Sequence, residues 1–383
     1  MLPLILSLLV GAFPLRGSVV QSIDSNLVLD QDTLHATRVS GTLRAPGRGK
    51  ATCAWTKDIH SHASPVPFPS LADMMPNTPS LPSRAHGLLL GLASGNSLGA
   101  PWSEIWPKDK ILAQSGGKVL EIAPEEAALP WNADLAQAVI ASEALLEKKT
   151  VEIEDLGRHL LLWMTENGRG IAVLTRRVLE DVETGTPVEE ASSYACESLG
   201  RNWSAGNGAL ARGLSLVPAL WGRQEQLIEE TRRAARATHW NPLCEWSSTA
   251  LNLALADTFA GLPLDCRALA ETLRTLGAPS AVADAVDGAK APLERFQLDG
   301  KTKLFTLKAM QVGLWALRTE GTPEEILERV ILEGGATDTN AALAGAAVGA
   351  RFGVEALPEA WLAKLARPEI LKDLADRLLA FQG

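Results

Sequence analysis

The sequence predicts an all-α protein, a compact multi-helix body preceded by an irregular N-terminal extension. Three observations predict it. From His86 onward apolar and small residues recur at helical spacing, as in Leu135, Val139, Ser142 and Leu146, or Leu227, Thr231, Ala234 and Thr238. No long run alternates apolar and polar residues as a half-buried strand would. Thr322-Pro323-Glu324-Glu325 carries a helix-start signal: a capping hydroxyl, Pro at the first helical position and Glu three residues after the cap.

Residues 1–84 differ in composition from the rest of the chain. They hold 9 of the 22 prolines and no glutamate, the first being Glu104, and they carry +2 of charge against −11 for residues 85–383. Met1–Val10 is apolar like the core of an export signal, but Arg16 is the first basic residue, which argues against export. Prolines 65, 67, 69, 76, 79 and 82 favour extended chain over helix. Two readings stay open for this region: upstream DNA read in frame, with translation starting at Met74 or Met75, or a genuine leader and linker. In both, the domain runs from 85 to 383 and 1–84 lies outside its core.

The 383 residues are 46% hydrophobic and 21% charged, which excludes wholesale disorder and fibrous structure. A net charge of −9 repels a phosphate backbone, so no nucleic-acid partner is expected. Cys53, Cys196, Cys244 and Cys266 form no C-x-x-C pair, so neither a zinc cluster nor a disulfide framework is expected, and the cytoplasm fits best.

In the C-terminal part, the helix opened at Thr322 should end at Gly334-Gly335. The run NAALAGAAVGA, from Asn340 to Ala350, is bracketed by Asp338 and Arg351 and is too short to span ~30 Å of hydrocarbon, so no membrane partner is expected. Its small residues suit a central helix that neighbours approach closely.

Four stretches are candidates for chemistry: Gly95-Asn96-Ser97-Leu98-Gly99-Ala100-Pro101, Trp131-Asn132-Ala133-Asp134, Gly206-Asn207-Gly208-Ala209, and Gly334-Gly335-Ala336-Thr337-Asp338-Thr339-Asn340. Each is predicted to lie at the mouth of a helix, where unpaired N–H groups and the positive dipole end suit phosphates, and where carboxylates can share a cation. Asp338 is also expected to cap its helix. Of the eleven tryptophans, Trp102, Trp106, Trp131, Trp203 and Trp240 lie beside these stretches; core packing is the expected role, with adenine stacking the sharper one.

These stretches, in this order, resemble the ADP-ribosylglycohydrolase family, and the likeness is most specific over ILERVILEGGATDTNAALAGAAVGARFGVEALPEAWL. The resemblance implies an all-α hydrolase that cleaves the C1″ glycosidic bond of ADP-ribose from an arginine, serine or related acceptor, using two Mg²⁺ or Mn²⁺ ions. The implied partner is an ADP-ribosylated protein or a small ADP-ribose conjugate.

The chain departs from the family's ligand patterns. Against T-D-D-T stand Asn132, Ala133, Asp134 and Leu135; against G-G-D-x-D-T the first aspartate is Ala336, while Asp338 and Thr339 agree. Against G-D-A-L-G-x-x-x-E stand Asn96 and Ser103, with Glu104 one residue late. Two divalent ions would face two or three carboxylates, so the expectation is one Mg²⁺ or Mn²⁺ on Asn132, Asp134, Asp338 and Thr339, or none, with Glu104 as the base. The diphosphate half agrees better: Gly206, Asn207, Gly208, Arg212 and Thr238-His239 are the implied ligand-binding residues. A hydrolase with a depleted metal site remains one expectation; the other is a catalytically impaired relative that binds ADP-ribose or a related nucleotide, or a structural relative.

Overall fold

The structure is a computed structural model that describes residues 78–103, 107–116, 118–124, 129–200 and 203–381. The expectations for Met1–Val10, for most of the proline-rich stretch, for a start at Met74 or Met75 and for Glu104 concern residues outside these ranges.

The described residues form helices and no named strand. In chain order they are α1 (Leu81–Gly99), α2 (Lys108–Ser115), α3 (Ala133–Lys148), α4 (Ile153–Glu166), α5 (Val173–Glu183), α6 (Val188–Leu199), α7 (Leu210–Leu214), α8 (Val217–Leu220) and α9 (Gln224–Arg236). Next come α10 (Pro242–Phe259), α11 (Cys266–Thr275), α12 (Ser280–Gly288), α13 (Thr306–Arg318), α14 (Pro323–Leu332), α15 (Thr337–Phe352), α16 (Glu359–Leu362) and α17 (Pro368–Leu379). Among the described residues, the one pairing of extended backbone is an isolated antiparallel bridge between Gly206 and Phe305.

α1 and α15 form the centre, and both are buried on most faces. They run antiparallel at backbone contact. A Cβ placed on Gly87, Gly91, Gly95 or Gly99 would lie 1.9–2.2 Å from the carbonyl oxygens of Gly349, Gly345, Ala341 and Thr337 respectively. The four-residue spacing keeps all four glycines on one face of α1 over roughly 18 Å of helix. The absence of side chains there lets two backbones approach to a distance that any alanine would forbid, as the small residues of 340–350 anticipate.

The helical body begins earlier than the boundary at 85. Ser80 caps α1, its side chain accepting from the Ser83 N–H at 3.3 Å, and Arg84 is buried with Nη1 donating to the Ala350 carbonyl at 2.8 Å. Pro82 occupies the first turn, where a missing N–H costs nothing, so this proline starts a helix instead of forbidding one.

The other end of the sequence reading agrees closely. Thr322 and Glu325 make the reciprocal capping box at the start of α14, and Gly334 and Gly335 take φ of 73° and 79° after its end. Gly335 also lies against Leu298, whose carbonyl oxygen would be 2.1 Å from an added Cβ, which places segment 298–300 beside the loop that enters α15. The chain then runs on to Gly206 and Ala205, which it reaches through the Phe305 bridge and a Thr306 N–H donated to the Ala205 carbonyl at 3.0 Å.

Candidate functional site

Two acidic side chains far apart in sequence meet where α3 and α15 begin. Asn132 caps α3, its Oδ1 accepting from the Ala133 N–H at 2.6 Å, and this puts Asp134 in the first turn. Asp338 lies in the first turn of α15, whose cap position is Ala336; its side chain does not cap the helix, contrary to expectation. Its carboxylate turns instead to the turn that follows α1 and to the cap of α3. Ser103 Oγ donates to Asp338 Oδ1 at 2.8 Å, and Asn132 Nδ2 reaches Oδ2 at 3.5 Å. Asp134 Oδ2 accepts from Thr339 Oγ1 at 3.0 Å and from Asn96 Nδ2 at 3.2 Å.

Asn96 and Ser103 thus come from the C-terminal end of α1 and the turn after it, not from the mouth of a helix. Gly95 and Gly99 continue the helix there because they are its contact points with α15, and that contact carries Asn96 and Ser103 to the acids. Burial, and then the charge of Asp338, push the Asp134 carboxyl above the ordinary carboxylate range, while the Thr339 hydroxyl opposes them.

Among the described residues, these donors fit one hard cation. Asp134, Asp338 and Thr339 Oγ1 supply two carboxylates and a hydroxyl, and Mg²⁺ commonly takes one or two carboxylates and keeps several waters. Among the described residues no three His, Cys, Asp or Glu side chains converge on a metal position. Asn132 offers little to a cation: Oδ1 is held by the Ala133 N–H, the backbone oxygen by the Ala136 N–H at 2.9 Å, and the free end of the amide is a donor.

A second cluster surrounds Gly206-Asn207-Gly208, just before α7. The His239 ring lies under the loop, with Nε2 3.3 Å and 3.4 Å from where Cβ atoms on Gly206 and Gly208 would be; a side chain at either glycine would crowd the ring. Thr238 Oγ1 is 2.8 Å from His239 Nδ1 and accepts from Arg212 Nη2 at 2.7 Å. Arg212 is fully buried, with Nε and Nη1 unbonded, so it stands behind Thr238 instead of lining an open surface as a ligand-binding residue would. The Asn207 amide nitrogen and the Thr175 hydroxyl are likewise buried and unbonded beside this loop.

Two segments span the clusters. Gly170, at φ 72°, packs on Asn132 Oδ1, and five residues later Thr175 approaches Gly208. At no more than ~3.6 Å per residue, the two clusters are within about 18 Å of each other along this segment. Segment 298–306 makes the same crossing from Gly335 to Gly206. Sequence reading missed Gly170, Thr175 and these segments, because no motif marks a wall built from irregular chain. Of the tryptophans, Trp131 is buried with Nε1 donating to the Ala366 carbonyl at 2.9 Å, whereas Trp203 is 85% exposed and not a core residue. Trp102 is half-buried, Trp240 lies under the Arg236 guanidinium, and Trp106 is outside the described residues.

Burial, and then the charge of Arg212, push the His239 imidazole down to about 3. The unfolded chain therefore takes up a proton on this side chain below ~6.5 that the folded chain refuses until near 3, so stability falls with pH across that window. Between pH 7 and 5 the expected loss is about 2 kcal/mol. Denaturant melts of the natural chain and of His239→Gln at the two pH values check it; an equal pH slope in both would rule it out.

The sequence profile of the ADP-ribosylglycohydrolase family matches residues 77–383. The chain is 28% identical over 316 residues to the ADP-ribosyl-[dinitrogen reductase] glycohydrolase of Rhodospirillum rubrum, covering 80% of this chain and 98% of that protein. It is 24% identical over 318 residues to the ADP-ribosylarginine hydrolase Tri1 of Serratia proteamaculans (strain 568), covering 80% and 81%. A solved structure described as an ADP-ribosylglycohydrolase-related protein complex superposes with a TM-score of 0.61 at 28% identity, over 79% of this chain and 98% of the other.

Proposed function

The chain belongs to the ADP-ribosylglycohydrolase family, whose hydrolases generally depend on divalent metal, and from that premise we propose that it binds an ADP-ribosyl conjugate and hydrolyses the bond between ribose and acceptor at a one-cation site. The observation that carries this reading is the meeting of Asp134 and Asp338 with Thr339 at two helix N-termini, one short segment away from the Gly206–Gly208 loop.

The diphosphate would rest on the backbone of Gly206-Asn207-Gly208, where glycine lets N–H groups approach and His239 lies beneath. That anchors the ribose toward the acids. Asp134, Asp338 and Thr339 would hold one Mg²⁺ or Mn²⁺, which when bound polarises ribose oxygens and a water. Asn96 and Ser103 keep the acid oxygens oriented through the hydrogen bonds they donate. Glu104 is the candidate base for the water; Ser103 beside it is no base at neutral pH. An arginine- or serine-modified protein, or a small conjugate, is the proposed substrate, with the cytoplasm as the compartment. Among the described residues no helix is long and apolar enough to cross a membrane.

A second reading, binding without turnover, is favoured by one observation: Asn96 and Ser103, the residues found in place of acids, each donate to an acid that remains. Calorimetry with Mn²⁺ and then ADP-ribose, followed by release of ADP-ribose from a modified arginine, separates the two. One ion per chain with release supports the hydrolase. ADP-ribose binding that ignores Mn²⁺, without release, supports the binder, and failure to bind either ligand sinks both.

A further inference from the structure

The hydrogen-bond order behind the glycine loop determines which nitrogen of His239 carries its proton. Arg212 can only donate, and its Nη2 is 2.7 Å from Thr238 Oγ1, so that oxygen is the acceptor of this bond. The Thr238 oxygen has a second lone pair, but its single hydroxyl proton has no acceptor among the described residues other than His239 Nδ1 at 2.8 Å, and it is donated there. A nitrogen that accepts a hydrogen bond carries no proton, and the ring is neutral because it is buried beside a cation. The proton therefore sits on Nε2, the atom that faces Gly206 and Gly208.

We propose that Arg212 and Thr238 act as positioning residues that lock His239 in its neutral Nε2–H form, so that a hydrogen-bond donor, and never a lone pair, faces an anion seated on the Gly206–Gly208 loop. This rests on the diphosphate reading above for its purpose, but not for its chemistry. The opposite tautomer would aim a lone pair at a phosphate oxygen and repel it. Arg212 contributes in two ways without touching the ligand: it orients the Thr238 hydroxyl, and its charge, buried without a bonded carboxylate, favours an anion in front of it. The arrangement also explains why a side chain as polar as Arg212 is retained at zero exposure.

The test reads the tautomer directly. Long-range ¹H–¹⁵N spectra of the ¹⁵N-labelled chain, with His239 assigned through His239→Gln, are expected to show a protonated Nε2 and an unprotonated Nδ1 at pH 7, unchanged at pH 5.5. In Thr238→Val the Nε2–H preference should be lost, and affinity for inorganic pyrophosphate and for ADP-ribose should fall tenfold or more, as for loss of a hydrogen bond to a charged group. Thr238→Ser, which keeps the hydroxyl, should restore both, and matched melting curves separate this from unfolding. A protonated Nδ1 in the natural chain overturns the proposal, as does a Thr238→Val chain that keeps tautomer and affinity. If the natural chain binds neither ligand, the diphosphate reading fails, while the spectra still decide the tautomer.

Discussion

Gly91→Ala should lose about 3 kcal/mol or more of stability, at the upper end of what overpacking a core costs, and much of the expressed chain should fail to fold. The added methyl would lie 2.1 Å from the Gly345 carbonyl oxygen and 2.9 Å from its carbon. Both are backbone atoms of a helix, so no rotamer change can relieve the overlap. The helices must part, and every pair along the seam loses contact with them. Gly222→Ala is the control: nothing lies within 4 Å of its Cβ position, and the expected change is within about 0.5 kcal/mol. Urea melts of the two variants decide the matter, and equal midpoints would mean the close approach of α1 and α15 contributes nothing.

The second large effect concerns the acids. Asn96→Asp/Ser103→Glu should destabilise the metal-free chain by about 3 kcal/mol or more, because each new carboxylate replaces a donor beside Asp134 or Asp338 with a like charge, worth at least about one pKa unit apiece. Mn²⁺ should reverse most of that loss. The natural chain should gain much less at the same Mn²⁺ concentration, since its acids are already satisfied by Asn96, Thr339, Ser103 and Asn132. Thermal melts with Mn²⁺ and with a chelator provide the readout. A double variant as stable as the natural chain, or indifferent to Mn²⁺, would show that these two positions do not set the demand for metal.

Much of the fold is legible from local signals. Thr322 and Glu325 announce a helix start in four residues, and the capping box forms as written. The small-residue run from Asn340 to Ala350 announces close packing, though not its partner, because Gly87, Gly91, Gly95 and Gly99 read equally well as loop formers until α15 is placed against them. That ambiguity is also why a helix mouth is expected at Asn96, which lies in a last helical turn. Pro82 misleads in the same way, since a proline at a helix start and one in a linker look alike. The acid pair is reachable only through motif resemblance: Asp134 and Asp338 are separated by more than half the chain, and no periodicity links them. Arg212 shows the opposite failure, a residue next to a recognised loop whose burial and orientation only coordinates reveal.

The seam between α1 and α15 has a consequence for biogenesis. Ribosomes deliver α1 among the first helices of the body and α15 near the last, so the bare glycine face of α1 waits through roughly 240 residues of synthesis for the surface that fits it. Contacts of such sequence separation form slowly, and until they do an apolar helix lacks its mate. The acid pair shares that dependence, since Asp134 finds Thr339 and Asp338 only after α15 has emerged.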